Sequence, residues 1–143
     1  MSDLKSAITV VQNSAPKKGR ISSIVQGLKR TEGNFPVFIQ DVDMPFVGTH
    51  LLNRLYQNST EDGYTSPMYK GMSGHPILIS PYAVREIAGS IRHFENLKEA
   101  LATYPRTKVD VEDAGILMNI NSPQDYFEQF GTCVPNRESL SPQ

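Results

Sequence analysis

No Gly-x-Gly occurs anywhere in the 143 residues; the closest glycines are Gly71 and Gly74. That absence removes the Walker-type phosphate loop and the dinucleotide fingerprint, both of which bring bare backbone against phosphate. There is also no Gly-x-Ser-x-Gly elbow, and the single cysteine, Cys133, stands near the C-terminus with no histidine close by. Hydrolase and thiol chemistry therefore find no support. One cysteine forbids an intrachain disulfide and every multi-cysteine zinc pattern. No apolar run approaches the roughly 18 residues that cross a bilayer. The opening residues, with Lys5, Thr9, Gln12, Asn13 and Ser14, lack a signal-peptide core. A reducing, cytoplasmic setting is expected. Charge of one sign is lacking too: 14 basic against 15 acidic residues leave a net charge of -1. Proteins held to nucleic acid by bulk charge carry a basic excess, so neither nucleic acid nor membrane is an expected partner.

What is present suits one domain. A chain of this length buries roughly two thirds of its unfolded surface and needs no metal staple. Residues 1–130 read as a single unit and residues 131–143 as a flexible tail. Short elements alternate along it. Ala7–Val11 is a β-branched run and reads as a strand. Ile21, Ile24, Val25 and Leu28 fall on one face of a helix. Phe35–Gln40 is apolar enough to be a strand buried on both faces, as parallel strands are. Leu51, Leu52, Leu55 and Tyr56 give a second helix, and Thr65–Lys70 and Pro76–Ile79 read as strands. Ser80-Pro81 opens a helix with Val84, Ile87, Ala88 and Ile91 inward. Asn96 caps another, Val109 and Val111 alternate in an edge strand, and Ser122-Pro123 opens the last helix. Strands alternating with helices predict an α/β sandwich with a mostly parallel sheet and ligands at the carboxyl ends of its strands.

Asp41 and Asp43 follow the most apolar strand. Two carboxylates at i and i+2 suit magnesium, which takes one or two carboxylates plus phosphate oxygens; an Asp-rich turn bonded to local backbone is the plainer reading. Asn119 and Asn121 point the same way if extended, before the Ser122 cap. They read either as amide ligands for metal or ribose or as a simple strand exit. Ser73-Gly-His75-Pro76 is a tight turn that lets backbone approach a ligand, or a structural one. Gly19-Arg20 with Ser22 and Ser23 offers helix-start amides to an anion, or is a solvated basic turn.

In order and identity, Gly19–Leu28, Val37–Pro45, Gly74–Leu78 and Gly115–Asp125 resemble the motifs of the molybdenum cofactor nucleotidyltransferases, the group of molybdopterin cytidylyl- and guanylyltransferases. The resemblance runs from about Ala7 to Phe127. It implies a Rossmann-related, GT-A-like three-layer α/β fold of the nucleotide-diphospho-sugar transferases. It also implies transfer of CMP or GMP from CTP or GTP to molybdopterin with release of pyrophosphate. By the same resemblance Asp43 and Asn119 are catalytic, with Mg2+ on Asp43, Asp41 and Asn119. Ser22, Ser23 and Asn121 meet the nucleotide, and Gly74, His75 and Pro76 the acceptor. Members of the group begin with a strand and a glycine-rich loop that holds the triphosphate, which has no match here. The chain thus resembles their C-terminal two thirds and is expected to be inactive alone, completed by a separate N-terminal chain or paired as a homo-oligomer at an open sheet edge near Val37–Ile39. A non-catalytic cofactor- or partner-binding module of the same descent is the alternative, and transfer to a sugar phosphate is a third, weaker reading.

Overall fold

The computed structural model describes residues 8–131. Five α-helices are found among them: α1 (Arg20–Leu28), α2 (Thr49–Gln57), α3 (Pro81–Gly89), α4 (Leu97–Leu101) and α5 (Pro123–Phe130). The strands are β1 (Val37–Ile39), β2 (Tyr64–Tyr69), β3 (Met72–Ser73), β4 (Ile77–Ile79) and β5 (Arg106–Asp110). They form one sheet in the order β1-β4-β2-β5, and β3 continues the ladder beside β2 where β4 leaves it.

The expected mostly parallel sheet is not found. The β1–β4, β4–β2 and β2–β3 pairs are antiparallel, and only β2–β5 is parallel among the described residues. The reason is the connection between β2 and β4. The β2–β3 hairpin and a three-residue link join them, too short for the crossover that parallel neighbours require. β1 is accordingly half-buried rather than buried on both faces, and it lies at one margin of the sheet.

Helices cover both faces, giving three layers. On one side Ile21 and Leu28 of α1, Val84 and Ile87 of α3, and Leu101 of α4 pack over Ile79. On the other, Leu51 and Leu55 of α2 meet Val109 and Ile116, with Phe38 against them. The alternation is strict: Val37 and Ile39 face the first cluster and Phe38 the second.

Local chemistry sets the helix starts. Ser80 Oγ accepts from Ala83 N at 3.2 Å, and Asn96 Oδ1 accepts from Glu99 N at 2.9 Å. Three apolar expectations fail. Ile8–Val11 is not a strand; it has no strand partner among the described residues, and Ile8 and Val10 are exposed. Ala7 and the tail from residue 132 lie outside the described residues. Ile91 falls beyond the end of α3 and is exposed, because Ser90 turns the chain out of the helix. Tyr56 is on the outer side of α2. No helix among the described residues is long and apolar enough to cross a membrane.

Candidate functional site

β1 delivers the chain into a turn at Asp41–Met44. Met44 N donates to Asp41 O at 3.2 Å, and the buried Met44 side chain pins the turn from below. Gln40 braces it from the side, donating through Nε2 to Met44 O and, at 3.2 Å, to Asp41 O. Both carboxylates are half-buried, and Val42 between them is fully exposed.

Asp41 is committed to an ion pair with Arg20, the first residue of α1. Asp43 is joined to a distant part of the chain: Ile120 N donates to its carbonyl at 2.7 Å. That bond holds Ile120, the residue between Asn119 and Asn121, against the Asp43 backbone; both asparagines are exposed. A reciprocal cap fixes the segment. Asn121 N and Ser122 N each donate to the Asp125 carboxylate at 2.9 Å, and Asp125 N donates to Ser122 Oγ at 3.1 Å. These bonds, the Asn121 N–H first and the Ser122 hydroxyl next, hold the Asp125 carboxyl below the usual carboxylate range.

Ser22 and Ser23 lie in the first turn of α1, and Asn13 takes both. Its Nδ2 donates to Ser22 Oγ at 2.7 Å and to Ser23 Oγ at 2.9 Å, while Ser22 Oγ donates to Gly19 O at 2.7 Å. In the sequence Asn13 is only one residue of a polar boundary. Its role depends on a fold-back across the Ala15–Gly19 turn.

Gly74, His75 and Pro76 join β3 to β4. Gly74 N donates to Pro67 O and His75 N to Ile116 O, each at 3.0 Å. The approach to Ile116 is close enough that a Cβ on Gly74 would lie 2.3 Å from its carbonyl oxygen, so glycine is required there by space. His75 Nδ1 is buried with no hydrogen-bond partner among the described residues.

Two cavities flank the first turn of α1. One, of about 620 Å³, is lined by Arg20, Tyr64, Gly74, His75, Lys98 and Arg106 among others. No Asp or Glu lines it. The second, of about 550 Å³, includes Asn13, Ser22, Lys18 and Lys29. The structure thus joins the backbone of Asp43 to the Asn119–Asn121 segment through Ile120 and pairs Asp41 with Arg20. Gly74 and His75 enter the larger cavity and Ser22 the smaller. Sequence reasoning misses Arg106, which shows there only as a charge at the head of an alternating strand.

No group of three or more His, Cys, Asp or Glu suited to a metal exists among the described residues. The polar groups at and near this turn are the Asp43 carboxylate, the Asp41 carboxylate paired with Arg20, and the exposed amides of Asn119 and Asn121.

Over 123 residues the chain is 25% identical to the molybdenum cofactor cytidylyltransferase of Escherichia coli (strain K12), a match covering 86% of this chain and 62% of that protein. The chain therefore spans about three fifths of the length of that relative. Residues 3–108 match the family model of the MobA-like NTP transferase domain, and the chain belongs to that family.

Proposed function

We propose that this chain carries the metal and acceptor side of a nucleotidyltransferase of molybdenum cofactor biosynthesis. The reaction transfers CMP or GMP from CTP or GTP to molybdopterin. An oxygen of the acceptor phosphate attacks the α-phosphorus, the bond from that phosphorus to the bridging oxygen of the β-phosphate breaks, and pyrophosphate leaves. The observation that supports the reading is the Ile120 N to Asp43 O bond, which holds the segment carrying Asn119 and Asn121 against the backbone of Asp43.

Asp43 and Asn119 are the residues to hold Mg2+, with Asp41 held nearby by Arg20. When bound, the ion would neutralise charge on the triphosphate and favour in-line displacement. Arg20 supplies a cation between the metal carboxylates and the larger cavity. Asn121 and the Ser22–Ser23 turn meet the nucleoside, and Gly74 and His75 wall the acceptor with the buried Pro76 behind them. The described residues offer no glycine-rich nest for the triphosphate, and losing one preorganised donor already costs about a hundredfold in rate. The stretch by itself is therefore expected to bind without efficient turnover.

Asp43→Asn tests the reading because it keeps size and removes charge. Titration calorimetry with magnesium and CTP or GTP should show metal-dependent nucleotide binding in the parent and about a tenfold or greater loss in the variant. Unchanged binding rejects Asp43 as the ligand. Acceptor binding without pyrophosphate release, even when a chain carrying a glycine-rich loop is supplied, favours the non-catalytic binding module, for which the acid-free cavity is the supporting observation.

A further inference from the structure

The larger cavity holds positive charge that no carboxylate of its lining balances. Arg20, which lines it, is already paired with Asp41. Lys98 and Arg106 line it too, and among the described residues neither has an ion-pair partner. Arg106 is nevertheless held in place. Its Nε donates to the buried Ser66 Oγ at 2.9 Å, and its Nη2 donates to Ser73 Oγ and lies 3.4 Å from Met68 Sδ. Those contacts use three of the five N–H groups of the guanidinium. The two on Nη1 have no partner among the described residues. Hydroxyls and a thioether thus fix the fork without neutralising it and leave one nitrogen to a ligand. A fixed guanidinium with a flexible ammonium in the same cavity suits a phosphate monoester, whose oxygens take charge-assisted hydrogen bonds from both.

The strand registers relate that cavity to the Asp41–Asp43 turn. Phe38 of β1 and Thr65 of β2 are both paired with Leu78 of β4, so the three are level. β1 and β2 each run antiparallel to β4 and hence in the same direction as each other. Ser66 is therefore level with Ile39, the last residue of β1 before the turn. The Arg106 guanidinium, bonded to Ser66 and reaching toward Met68, lies toward the end of the sheet where that turn stands. Two strand spacings put about 10 Å between the β1 and β2 backbones. A phosphate at the turn and a second in near-attack contact with it, about 3–3.5 Å between reacting atoms, fill that span. Tyr64, Ile77, Leu97 and Leu101 also line the cavity and offer apolar surface to a ring attached to the second phosphate.

We propose that Arg106 and Lys98 bind the single phosphate of the acceptor. This pair, with Arg20 committed to Asp41, holds the attacking phosphate opposite a nucleotide at the Asp41–Asp43 turn. The proposal rests on the reading of the cavity as the acceptor side. Its test reads acceptor binding and not transfer, so the failure of the one is separable from the failure of the other.

The probes are a hydroxymethyl-pterin monophosphate and the same pterin without phosphate, titrated by calorimetry into the full chain at physiological salt. The parent binds the phosphorylated probe about tenfold or more tightly than the plain one. Arg106→Gln and Lys98→Gln each remove most of that preference and leave the plain probe unchanged. Lys108→Gln, which removes a charge from β5 outside the cavity, leaves the preference intact. CTP or GTP with Mg2+ does not displace the phosphorylated probe. Should Arg106→Gln unfold because Ser66 loses its partner, the exposed Lys98 carries the test. Equal binding of the two probes, or no binding of either, overturns the proposal. So does a preference that survives either cavity substitution, one that is lost in Lys108→Gln, or displacement by the nucleotide. The expected pattern together with unchanged metal-dependent nucleotide binding in Asp43→Asn overturns only the assignment of the metal.

Discussion

Gly74→Ala is the smallest change that should disturb core and site together. The added Cβ would lie 2.3 Å from Ile116 O and 2.7 Å from both Ile116 Cβ and Ile116 Cγ1. Relief requires a separation of about 1 Å more. Ile116 has little room to retreat, being 1% exposed and packed with Leu51, Leu55 and Val109. Overpacking of this kind costs about 1–3 kcal/mol. Pushing Ile116 away also stretches the bond from His75 N, worth about 1 kcal/mol. A loss of about 2–4 kcal/mol lowers the melting temperature by about 10 °C for a chain of this size. The displacement is inherited by the segment that follows, and Ile120 N then aligns less well with Asp43 O. Metal-dependent nucleotide binding should therefore weaken even well below the melting temperature. Gly63→Ala is the control: its Cβ would lie 2.1 Å from Pro105 O, at the start of β2 and far in sequence from the Asp43–Ile120 bond. It should destabilise comparably and spare nucleotide binding. A Gly74→Ala protein that melts within about 2 °C of the parent refutes the steric argument. One that is destabilised but binds nucleotide normally refutes the link between Ile116 and Asp43.

Gly27→Ala should act in the opposite direction. Gly27 lies inside α1, and a methyl group there would meet nothing within 4 Å, so the substitution should raise stability by about 0.5–1 kcal/mol in chemical denaturation. Asp125 gives a pH signature. Its folded-state pKa is depressed, so the cap is at full strength above the ordinary aspartate range and is lost as pH falls through the lower, folded value. The Asn121 and Ser122 amide resonances should titrate with a midpoint below the ordinary aspartate value, and Asp125→Asn should abolish that titration.

Those features whose cause is local are legible in the sequence. The starts of α3, α4 and α5 follow from Ser80-Pro81, Asn96 and Ser122-Pro123, because a cap is satisfied within its own first turn. Strand direction is not legible. Val37, Phe38 and Ile39 look like any apolar run, and their antiparallel partner is chosen by the hairpin between β2 and β4. Ile91 shows the limit of periodicity: it keeps helical spacing with Val84 and Ile87, yet the helix ends before reaching it. At the site, residue types at Asp43, Asn119, Asn121, Gly74 and His75 mark positions that the fold brings into two neighbouring groups. The commitment of Asp41 to Arg20, of Ser22 and Ser23 to Asn13, and of Arg106 to Ser66 are pairings between separate elements. No spacing rule reports them.

The bond between Ile120 and Asp43 also bears on the order in which the molecule can become competent. Its two partners enclose the whole of α2, β2 through β4, α3, α4 and β5 between them in sequence. Contacts of such separation carry the largest loop-closure cost and form after the elements they enclose. On a ribosome, Asp43 emerges early and waits for a partner that arrives only once nearly the entire sheet has been made. A chain arrested before Asn119 would already own its packed interior while its carboxylates stood open to solvent. Closure of the Asp43 turn against the Asn119–Asn121 segment therefore waits until synthesis has passed Ile120.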